Sequence, residues 1–377
     1  MTLLEYLKST KTAFTNSLSS YSDVHFVIGN ESCDLDSTVS SLILAYYLSV
    51  HKSPRIPNSA LVIPVLNVSR ENFLLRTDNC FVLRELGVPL EYLIYRDVVD
   101  FEELVITKRV TASLVDHHIL SKNDSVLESS VIEILDHRPF DTNSKWNKNV
   151  KLKIQEVGSC STLVADLIFE TDEDFLNRDL AYAIYETIIF DTVALIAEVG
   201  RAKELDFAVT KKLENKFEFN QDRKVVYDKL WAAHNDVSHL SPRQILVKDL
   251  KIVENLPVPG LPMLTEDFLQ LKDAYDAVEN TAQEYKVPVL VLVGLDATKE
   301  VKRDIGVFWT TEGETLKDIL LDKFNNSEKL KGYNFCFEEV NSGYNNIICL
   351  RQNNIKLSRK QVIPLIKDAV LELGKTG

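Results

Sequence analysis

Residues 26–37 read Phe-Val-Ile-Gly-Asn-Glu-Ser-Cys-Asp-Leu-Asp-Ser, and the fold prediction starts from this segment. A short apolar run ends at Gly29, and residues 38–48 have the composition of an apolar helix. Asp34 and Asp36 therefore lie in a loop between a strand and a helix, where open α/β sheets bind their ligands. Two carboxylates this close repel each other, and a divalent cation relieves the repulsion. The alternative is a helix cap formed by Asp36 or the following serine, with Asp34 in solvent.

The composition of the 377-residue chain is that of a globular protein, and its length favours two domains. A net charge of −13 argues against nucleic acid or an anionic membrane as partner, although a local site can still bind an anion. The five cysteines are scattered without a CxxC pair, which predicts reduced thiols. No apolar run reaches membrane-spanning length, and residues 1–20 lack a hydrophobic signal core. We therefore expect a cytoplasmic protein, with the mitochondrion as the alternative.

Two later apolar runs end in the same way as the first. Residues 112–115 stop at Asp116, and residues 131–135 stop at Asp136, which precedes His137. Strands that alternate with helices predict a parallel sheet covered by helices on both faces. Because the carboxyl ends of parallel strands share one edge of a sheet, these side chains are expected to meet. Of the two histidines that follow Asp116, at most one is expected to reach the same site, since neighbouring side chains on extended backbone point in opposite directions.

Two further segments complete the first domain. Residues 158–162 are small and open a helix, which suits either a bound oxyanion or simple capping. Residues 180–196 are predicted as one apolar helix that contains Asp191. A carboxylate among apolar neighbours needs a partner, so Asp191 is a candidate metal ligand; the alternative is an aspartate that faces solvent or caps the helix.

The second half of the chain has a different pattern. Residues 203–231 are charged and helical without a strand pattern, and we interpret this part as the connection between domains. The predicted boundaries are 1–205 for the first domain, 206–237 for the helical connection and 238–377 for the second domain. In the second domain we expect the following elements: a helical stretch over 265–285, strands over 287–293 and 304–309, a helix over 315–324, short strands near Phe335 and Ile347, and a terminal helix over 358–373. The predicted fold class is therefore α/β, with a parallel-sheet domain flanked by helices and a smaller mixed α/β (α+β) domain.

The predicted sheet edge collects the candidate ligands Asp34, Asp36, Asp116, His137 and Asp191. Carboxylates mixed with imidazole suit Mn²⁺ or Co²⁺, and Mg²⁺ when carboxylates dominate. The number of acids suggests two ions that share bridging aspartates, an arrangement that promotes phosphoryl displacement. The basic residues that could hold phosphoryl groups are Arg70, Arg76, Arg138, Arg359 and Lys360. For each of these alone, a surface charge is the more common interpretation.

The ordered set of motifs resembles the DHH phosphoesterase superfamily, in the branch with a C-terminal DHHA2 domain. That branch includes eukaryotic exopolyphosphatases and family II inorganic pyrophosphatases. The resemblance covers nearly the whole chain and rests on residues 29–37, 114–122, 134–139 and 358–364, with Asp191 in the position of the fourth motif's aspartate.

The resemblance implies a role for each matched residue. One divalent cation would bind Asp34, Asp116 and Asp191, and the other would bind Asp36, Asp116, His137 and Asp191. Asp116 and Asp191 would thus bridge the two ions. Arg359 and Lys360 would reach the phosphate chain across an inter-domain cleft, and Asp136 would orient the ligating histidine.

The chain departs from the family pattern at two positions. The family's DHH triplet corresponds to residues 136–138, so Arg138 replaces its last histidine. Arginine keeps a positive charge near the phosphates but cannot deliver a proton near neutral pH. Asn30 stands where the pyrophosphatases have a histidine ligand, although the exopolyphosphatase branch also has asparagine there. Asn30 is therefore expected to be a weak contact to metal or substrate.

The resemblance implies a metal-dependent exopolyphosphatase that hydrolyses terminal phosphoanhydride bonds of short inorganic polyphosphate. Water activated by two metal ions would attack the terminal phosphorus, with Asp116, His137 and Arg138 at the reacting group. One alternative is a cyclic-nucleotide phosphodiesterase that uses the same site on a nucleotide phosphoester. Another is a metal-binding scaffold or regulatory protein of low activity, which the change at Arg138 motivates. The sequence identifies no protein partner.

Overall fold

The computed structural model describes residues 1–142, 144, 146–297, 300–326, 337–356 and 358–376. The chain forms two compact units, Met1–Asn235 and Asp236–Gly377. A helix long and apolar enough to span a membrane is absent from the part of the chain that the structure describes. Among the described residues, Cys33, Cys160 and Cys349 are free thiols, as predicted, and Cys336 lies outside these residues.

The first unit is built on a parallel sheet with the strand order β2-β1-β3-β4-β5. Its strands are β1 Asp23–Ile28, β2 Leu61–Val65, β3 Arg109–Val115, β4 Val131–Asp136 and β5 Lys151–Ile154. Its helices are α1 Leu3–Asn16, α2 Leu35–Val50, α3 Arg70–Phe73, α4 Thr77–Glu85, α5 Phe101–Thr107, α6 Cys160–Thr171, α7 Arg178–Asp191, α8 Glu204–Phe217 and α9 Arg223–Asn235. Short 3₁₀ segments lie at Leu18–Ser20, Leu90–Tyr92, Arg96–Val98, Lys122–Ser130 and Ala197–Val199.

Both faces of the sheet are buried along its interior strand β1, which explains why β1 is largely a continuous apolar run, whereas the edge strand β5 is partly exposed. Val27 packs into the core that contains α2, α6 and α7, while its neighbours Phe26 and Ile28 pack into the core on the opposite face. Alternate residues of a strand point to opposite faces, so a sheet covered on both sides needs apolar residues at successive positions. The predicted α/β class with helices on both faces is confirmed.

The second unit contains a mixed sheet with the strand order β10-β11-β9-β8-β7-β6, in which β7 and β8 are parallel and the other pairs antiparallel. Its strands are β6 Leu250–Val253, β7 Leu256–Leu261, β8 Val289–Asp296, β9 Lys302–Trp309, β10 Phe337–Val340 and β11 Ile347–Gln352. Its helices are α10 Pro242–Lys248, α11 Thr265–Phe268, α12 Ala274–Glu284, α13 Glu314–Asn326 and α14 Arg359–Thr376, with a 3₁₀ segment at Thr311–Gly313. The mixed α/β prediction for this part is confirmed, and the strand expected at Phe335 falls outside the described residues.

Residues 206–237, expected to connect two domains, are part of the first unit up to Asn235. Helix α8 packs on α6 and α7, and α9 packs on α4 and α7. The apolar core of the first unit therefore extends into this charged segment, through Val209, Leu213, Val226 and Leu230.

Helix α7 ends at Asp191, five residues before the predicted end at 196. The next residues, Val193, Ala194 and Leu195, have φ angles of 54°, 57° and 57°, so the chain makes a left-handed turn. Three successive residues other than glycine in this region are unusual, and valine is the most strained of them because of its branched Cβ. Asp191 is thus the terminal residue of a helix and not an interior one, which corrects the sequence-based expectation.

Replacing Glu186 with glutamine is expected to change how stability depends on pH. Glu186 is 1% exposed on α7, and its Oε2 lies 3.7 Å from the Nζ of Lys229. Burial raises the pKa of Glu186 from 4.5 to about 7. The folded protein therefore holds a proton that the unfolded chain releases, so this residue's contribution to stability is lost as the pH rises from 4.5 to 7.

At pH 8, Glu186→Gln is expected to raise the free energy of unfolding by about 2 kcal/mol relative to the wild type, and to change it little at pH 5. Urea unfolding at both pH values measures the difference. Asp228→Asn, at an exposed ion pair with Lys224 on α9, is the control and should shift neither value by more than about 0.5 kcal/mol. Equal stabilisation of Glu186→Gln at pH 5 and pH 8 would contradict the assignment.

Candidate metal centre

The loop after β1 turns back closely on the first turn of α2. A Cβ on Gly29 would lie 2.2 Å from the Oγ of Ser37, so only glycine fits. The same hydroxyl accepts a hydrogen bond from the backbone N–H of Asn30 at 2.8 Å. The N-cap of α2 is Asp34, whose Oδ1 accepts from the Ser37 N–H at 3.0 Å. The cap is therefore Asp34 and not Asp36 or Ser37, and Asp36 is left to face the cavity.

Asp36 is buried and is held by the N-terminus of α6. Its Oδ2 accepts from the N–H of Cys160 at 2.5 Å, and its Oδ1 accepts from the N–H and the hydroxyl of Ser161, both at 2.7 Å. Free N–H groups and the helix dipole make such a terminus a binding site for anions. The small residues at 158–162 were expected to suit an oxyanion or a cap, and in the structure the oxyanion is the protein's own Asp36 carboxylate.

Asp116 follows β3 in the left-handed conformation, with φ of 60°, which aspartate tolerates better than most residues. Asn30 donates from Nδ2 to the Oδ2 of Asp116 at 2.6 Å and to its backbone carbonyl at 3.2 Å. The Oδ1 of Asn30 accepts from the N–H of Cys33 at 3.1 Å and from the hydroxyl of Ser32 at 2.5 Å. The amide oxygen is the atom that would bind a metal, and it faces this loop. Asn30 therefore positions Asp116, and its weak contact to metal or substrate stays a prediction.

His137 presents one ring nitrogen to these carboxylates. Its Nδ1 lies 3.0 Å from the carbonyl oxygen of Val157, which can only accept, so Nδ1 carries the proton and neutral imidazole keeps a lone pair on Nε2. Nε2 lies 3.1 Å from the Oδ1 of Asp116 and 3.9 Å from the Oδ2 of Asp36. Burial lowers the pKa of His137, but contact with Asp116 and the charge of Asp36 outweigh it and raise the pKa to about 10. Without a cation the ring therefore holds a second proton on Nε2, and a bound metal ion would replace that proton.

Asp36, Asp116 and His137 each place one ligand atom within 4.8 Å of the others. Together with Asp34 and Asp191 they line a cavity of about 380 Å³, which we call the metal cavity. Burial raises the pKa of Asp116 and of Asp191 well above the usual range, and the neighbouring aspartates raise both further. The Oδ2 of Asp191 is buried and has no hydrogen-bond partner among the described residues. Crowded carboxylates, an orphaned oxygen and a correctly oriented imidazole form a donor set that fits a divalent metal ion.

Asp136 does not hydrogen-bond to His137, which corrects the expectation that it orients this histidine. Its Oδ2 makes a short contact with Nδ1 of His118, and its Oδ1 accepts from the N–H of Arg138 at 3.2 Å. The Nε2 of His118 accepts from the N–H of Asp141 at 2.9 Å, so both nitrogens of this ring are occupied. The carbonyl oxygen of Val157 orients the His137 ring, which is the role that was expected of Asp136.

Arg138 lines two cavities. Its Nη2 lies 3.5 Å from the Oδ1 of Asp116 at the edge of the candidate metal centre, and half of its side chain is exposed. The second cavity has a volume of about 320 Å³ and is also lined by Asn67, His117 and Ser121. A ligand that extends from one cavity into the other would therefore contact the guanidinium group.

The other predicted phosphate-binding residues have different environments. Arg76 donates from Nε and Nη2 to the carbonyl of Ser32 at 3.0 and 2.9 Å, and it does not line the metal cavity. Arg70 is exposed on α3 and also lies outside this lining. In the second unit, Arg359 makes a bidentate pair with Asp249 at 2.6 and 2.7 Å, and Lys360 is exposed. Of the three predicted cations in the first unit, Arg138 is the one that lines this cavity among the described residues.

Two residues at or near the candidate metal centre, Arg201 and Asp206, were not predicted from the sequence. Arg201 lines the metal cavity, and its Nη1 donates to the backbone carbonyl of Asp191 at 3.4 Å. The sequence signal for Arg201 was its position, because it is a basic residue that follows the candidate ligand Asp191 by ten residues. Asp206 is fully buried at the start of α8 and had no such signal, because its partners lie far away in sequence.

Two family models match the chain. Residues 25–188 match the model of the DHH family, N-terminal domain, and residues 228–369 match the model of the DHHA2 domain. The chain thus contains both a DHH N-terminal domain and a DHHA2 domain.

The chain is similar to exopolyphosphatase PRUNE1 of Mus musculus and of Homo sapiens, with 33% identity to each over 97% of this chain and 79% of the relative. It is also 27% identical to a manganese-dependent inorganic pyrophosphatase of Methanocaldococcus jannaschii, over 60% of this chain and 66% of that protein. The chain therefore belongs to the DHH family, in the branch with a DHHA2 domain that contains PRUNE1.

Proposed function

We propose that this protein is a metal-dependent hydrolase of phosphoanhydride bonds that releases terminal phosphate from short inorganic polyphosphate. The observation that carries the proposal is the convergence of Asp36, Asp116 and His137 within 4.8 Å, beside an arginine that lines two cavities. The names of the PRUNE1 relatives and of the archaeal pyrophosphatase support the same reaction class.

The proposed metal ligands are Asp34, Asp36, Asp116, His137 and Asp191, arranged for two divalent cations. Mn²⁺ is the first choice because a pyrophosphatase relative is named manganese-dependent, and Mg²⁺ and Co²⁺ suit the same donors. When bound, the cations would supply Lewis-acid charge and a nucleophilic water at neutral pH.

The chain's own residues fix the reacting groups. Asp36 is immobilised by three hydrogen bonds from α6, and the tautomer of His137 is set by the Val157 carbonyl. Arg138 would bind the phosphoryl oxygens, because its planar guanidinium group matches two of them at once. The rest of the substrate would extend into the cavity lined by Asn67, His117 and Ser121.

We further propose that residues 1–205 and 238–377 correspond to the DHH and DHHA2 domains. Arg359 and Lys360 of the second domain would contribute positive charge to the substrate. A cytoplasmic location is supported by the free thiols of Cys33, Cys160 and Cys349.

Phosphate release from tripolyphosphate in Mn²⁺ tests the function. We expect turnover above about 1 s⁻¹, complete loss in excess EDTA, and recovery when Mn²⁺ is restored. Cyclic AMP assayed in parallel measures the alternative activity. If hydrolysis of cyclic AMP has the higher kcat/KM, or if neither substrate is turned over, the polyphosphate assignment is wrong.

A further inference from the structure

Asp206 lies in the first turn of α8 and is fully buried, outside the linings of both cavities described above. Its Oδ2 accepts hydrogen bonds from the N–H of Gly158 at 2.6 Å and from the N–H of Lys203 at 2.7 Å. Its Oδ1 accepts from the hydroxyl of Thr162 at 2.6 Å. The carboxylate thus joins the start of α8 to Gly158 and Thr162, near the two ends of the six-residue turn 157–162 at the start of α6.

This turn carries the groups that orient two of the candidate metal ligands. The Val157 carbonyl sets the tautomer of His137, and the N–H groups of Cys160 and Ser161 hold Asp36. Gly158 and Thr162, two of the three partners of Asp206, lie among or next to these three residues. A shift of the turn would therefore move an imidazole and a carboxylate together.

The same turn packs against the residue that follows a third candidate ligand, Asp191. A Cβ on Gly158 would lie 2.3 Å from Cγ2 of Thr192, which directly follows Asp191, and 3.1 Å from Oδ2 of Asp206. The backbone of Gly158 is thus in close contact with the end of α7 on one side and with Asp206 on the other. Such close packing transmits displacement, because no free space is available to absorb it.

We propose that Asp206 is a positioning residue of the metal centre, which holds the turn at 157–162 so that Asp36, His137 and Asp191 converge on one ion. The inference rests on the proposed metal site but not on the identity of the substrate. Three hydrogen-bond donors satisfy the Asp206 carboxylate, so the buried anion is paired and can hold its neighbours in fixed positions. Groups that orient metal ligands commonly change metal affinity 10–100-fold when they are replaced.

Titration of Mn²⁺ into the full-length protein, followed by the loss of the free Mn²⁺ electron paramagnetic resonance signal, tests the inference. We expect Asp206→Asn to weaken Mn²⁺ binding about 10–100-fold, because a neutral amide binds the two backbone N–H groups more weakly than the carboxylate does and its NH₂ group cannot accept from the Thr162 hydroxyl. At saturating Mn²⁺, kcat should recover substantially, since Asp206 does not touch the reacting atoms. A merely structural role would lower thermal stability and leave Mn²⁺ affinity unchanged.

The matched control is Asp304→Asn in the second unit. Asp304 is 2% exposed and accepts from the N–H groups of Thr265 and Glu266 at 2.9 and 3.3 Å, so it is a buried carboxylate that caps backbone far from this turn in sequence. We expect this variant to bind Mn²⁺ within about twofold of the wild type. Equal affinity in Asp206→Asn and Asp304→Asn overturns the proposal.

If Asp206→Asn does not fold, Thr162→Val decides the question, because it removes one of the three hydrogen bonds and keeps the side-chain shape. We expect a several-fold loss of Mn²⁺ affinity, and wild-type affinity contradicts the role of Asp206. Failure of the proposed function can be told apart from failure of this inference. A wild type that binds Mn²⁺ without hydrolysing polyphosphate would contradict the proposed function, but its Mn²⁺ affinity could still be compared with that of the variants.

Discussion

Asp116→Asn is expected to lower the rate of phosphate release from tripolyphosphate by about 10³-fold. Asp116 provides an oxygen close to both His137 and Arg138, and its Oδ1 is buried. Loss of this charge at a metal centre removes several kcal/mol of stabilisation from the transition state, and about 4 kcal/mol corresponds to a factor of 10³. Initial rates at saturating Mn²⁺ measure the effect.

Asparagine is the better replacement at this position because the backbone is left-handed there, with φ of 60°. Alanine would add backbone strain to the loss of charge. In EDTA the variant should be at least as stable as the wild type, since burial raises the pKa of Asp116 and an ionised carboxylate is costly there. In Mn²⁺ only the wild type should gain thermal stability. Retention of turnover by the variant would remove Asp116 from the proposed mechanism.

Arg138→Ala is expected to reduce kcat/KM for tripolyphosphate by about 10²-fold. A single donor placed at developing charge is worth about 10²–10³ in rate, and Arg138 is half exposed, so we expect the lower value. Arg138→Lys should recover part of the loss, because it keeps the charge but not the bidentate geometry. Steady-state kinetics of the three proteins at one Mn²⁺ concentration make the comparison.

Arg138→His distinguishes a phosphate-binding role from a lost proton donor. Histidine has an ordinary pKa of about 6.5, so its positive charge disappears as the pH rises above that value. If charge is what matters, the variant should lose activity between pH 6 and 8 relative to the wild type, in which arginine stays protonated. A wild type that is nearly inactive and a histidine variant that is active would instead show that the site has lost this chemistry.

The convergence of Asp36, Asp116 and His137 could be predicted because each follows a recognisable apolar run. β1, β3 and β4 end just before the loop with Asp36, before Asp116 and before His137, and parallel strands bring these ends to one edge. The two sheets and the free cysteines were also accessible from pattern and composition. Local sequence carries this information because apolar periodicity reports burial directly.

The supports of the ligands could not be predicted, because they depend on contacts distant in sequence. Asp206 holds residues 44 and 48 positions earlier, and nothing near it identifies them. Asp136 was expected to hydrogen-bond to its neighbour His137. In the structure its carboxylate contacts His118 instead. The end of α7 was missed because glycine usually marks a left-handed turn, and here Val193 begins it.

The left-handed turn after α7 also affects the order in which the first unit loses structure. Three residues in this conformation raise the energy of the folded segment by roughly 1–2 kcal/mol each. We therefore expect that local opening of residues 191–195 needs less free energy than global unfolding. In such an opening Asp191 would leave the candidate metal centre while the sheet remains intact. A cation held by Asp191 opposes that opening by thermodynamic linkage. The ion would then keep the end of α7 closed, in addition to its part in the reaction.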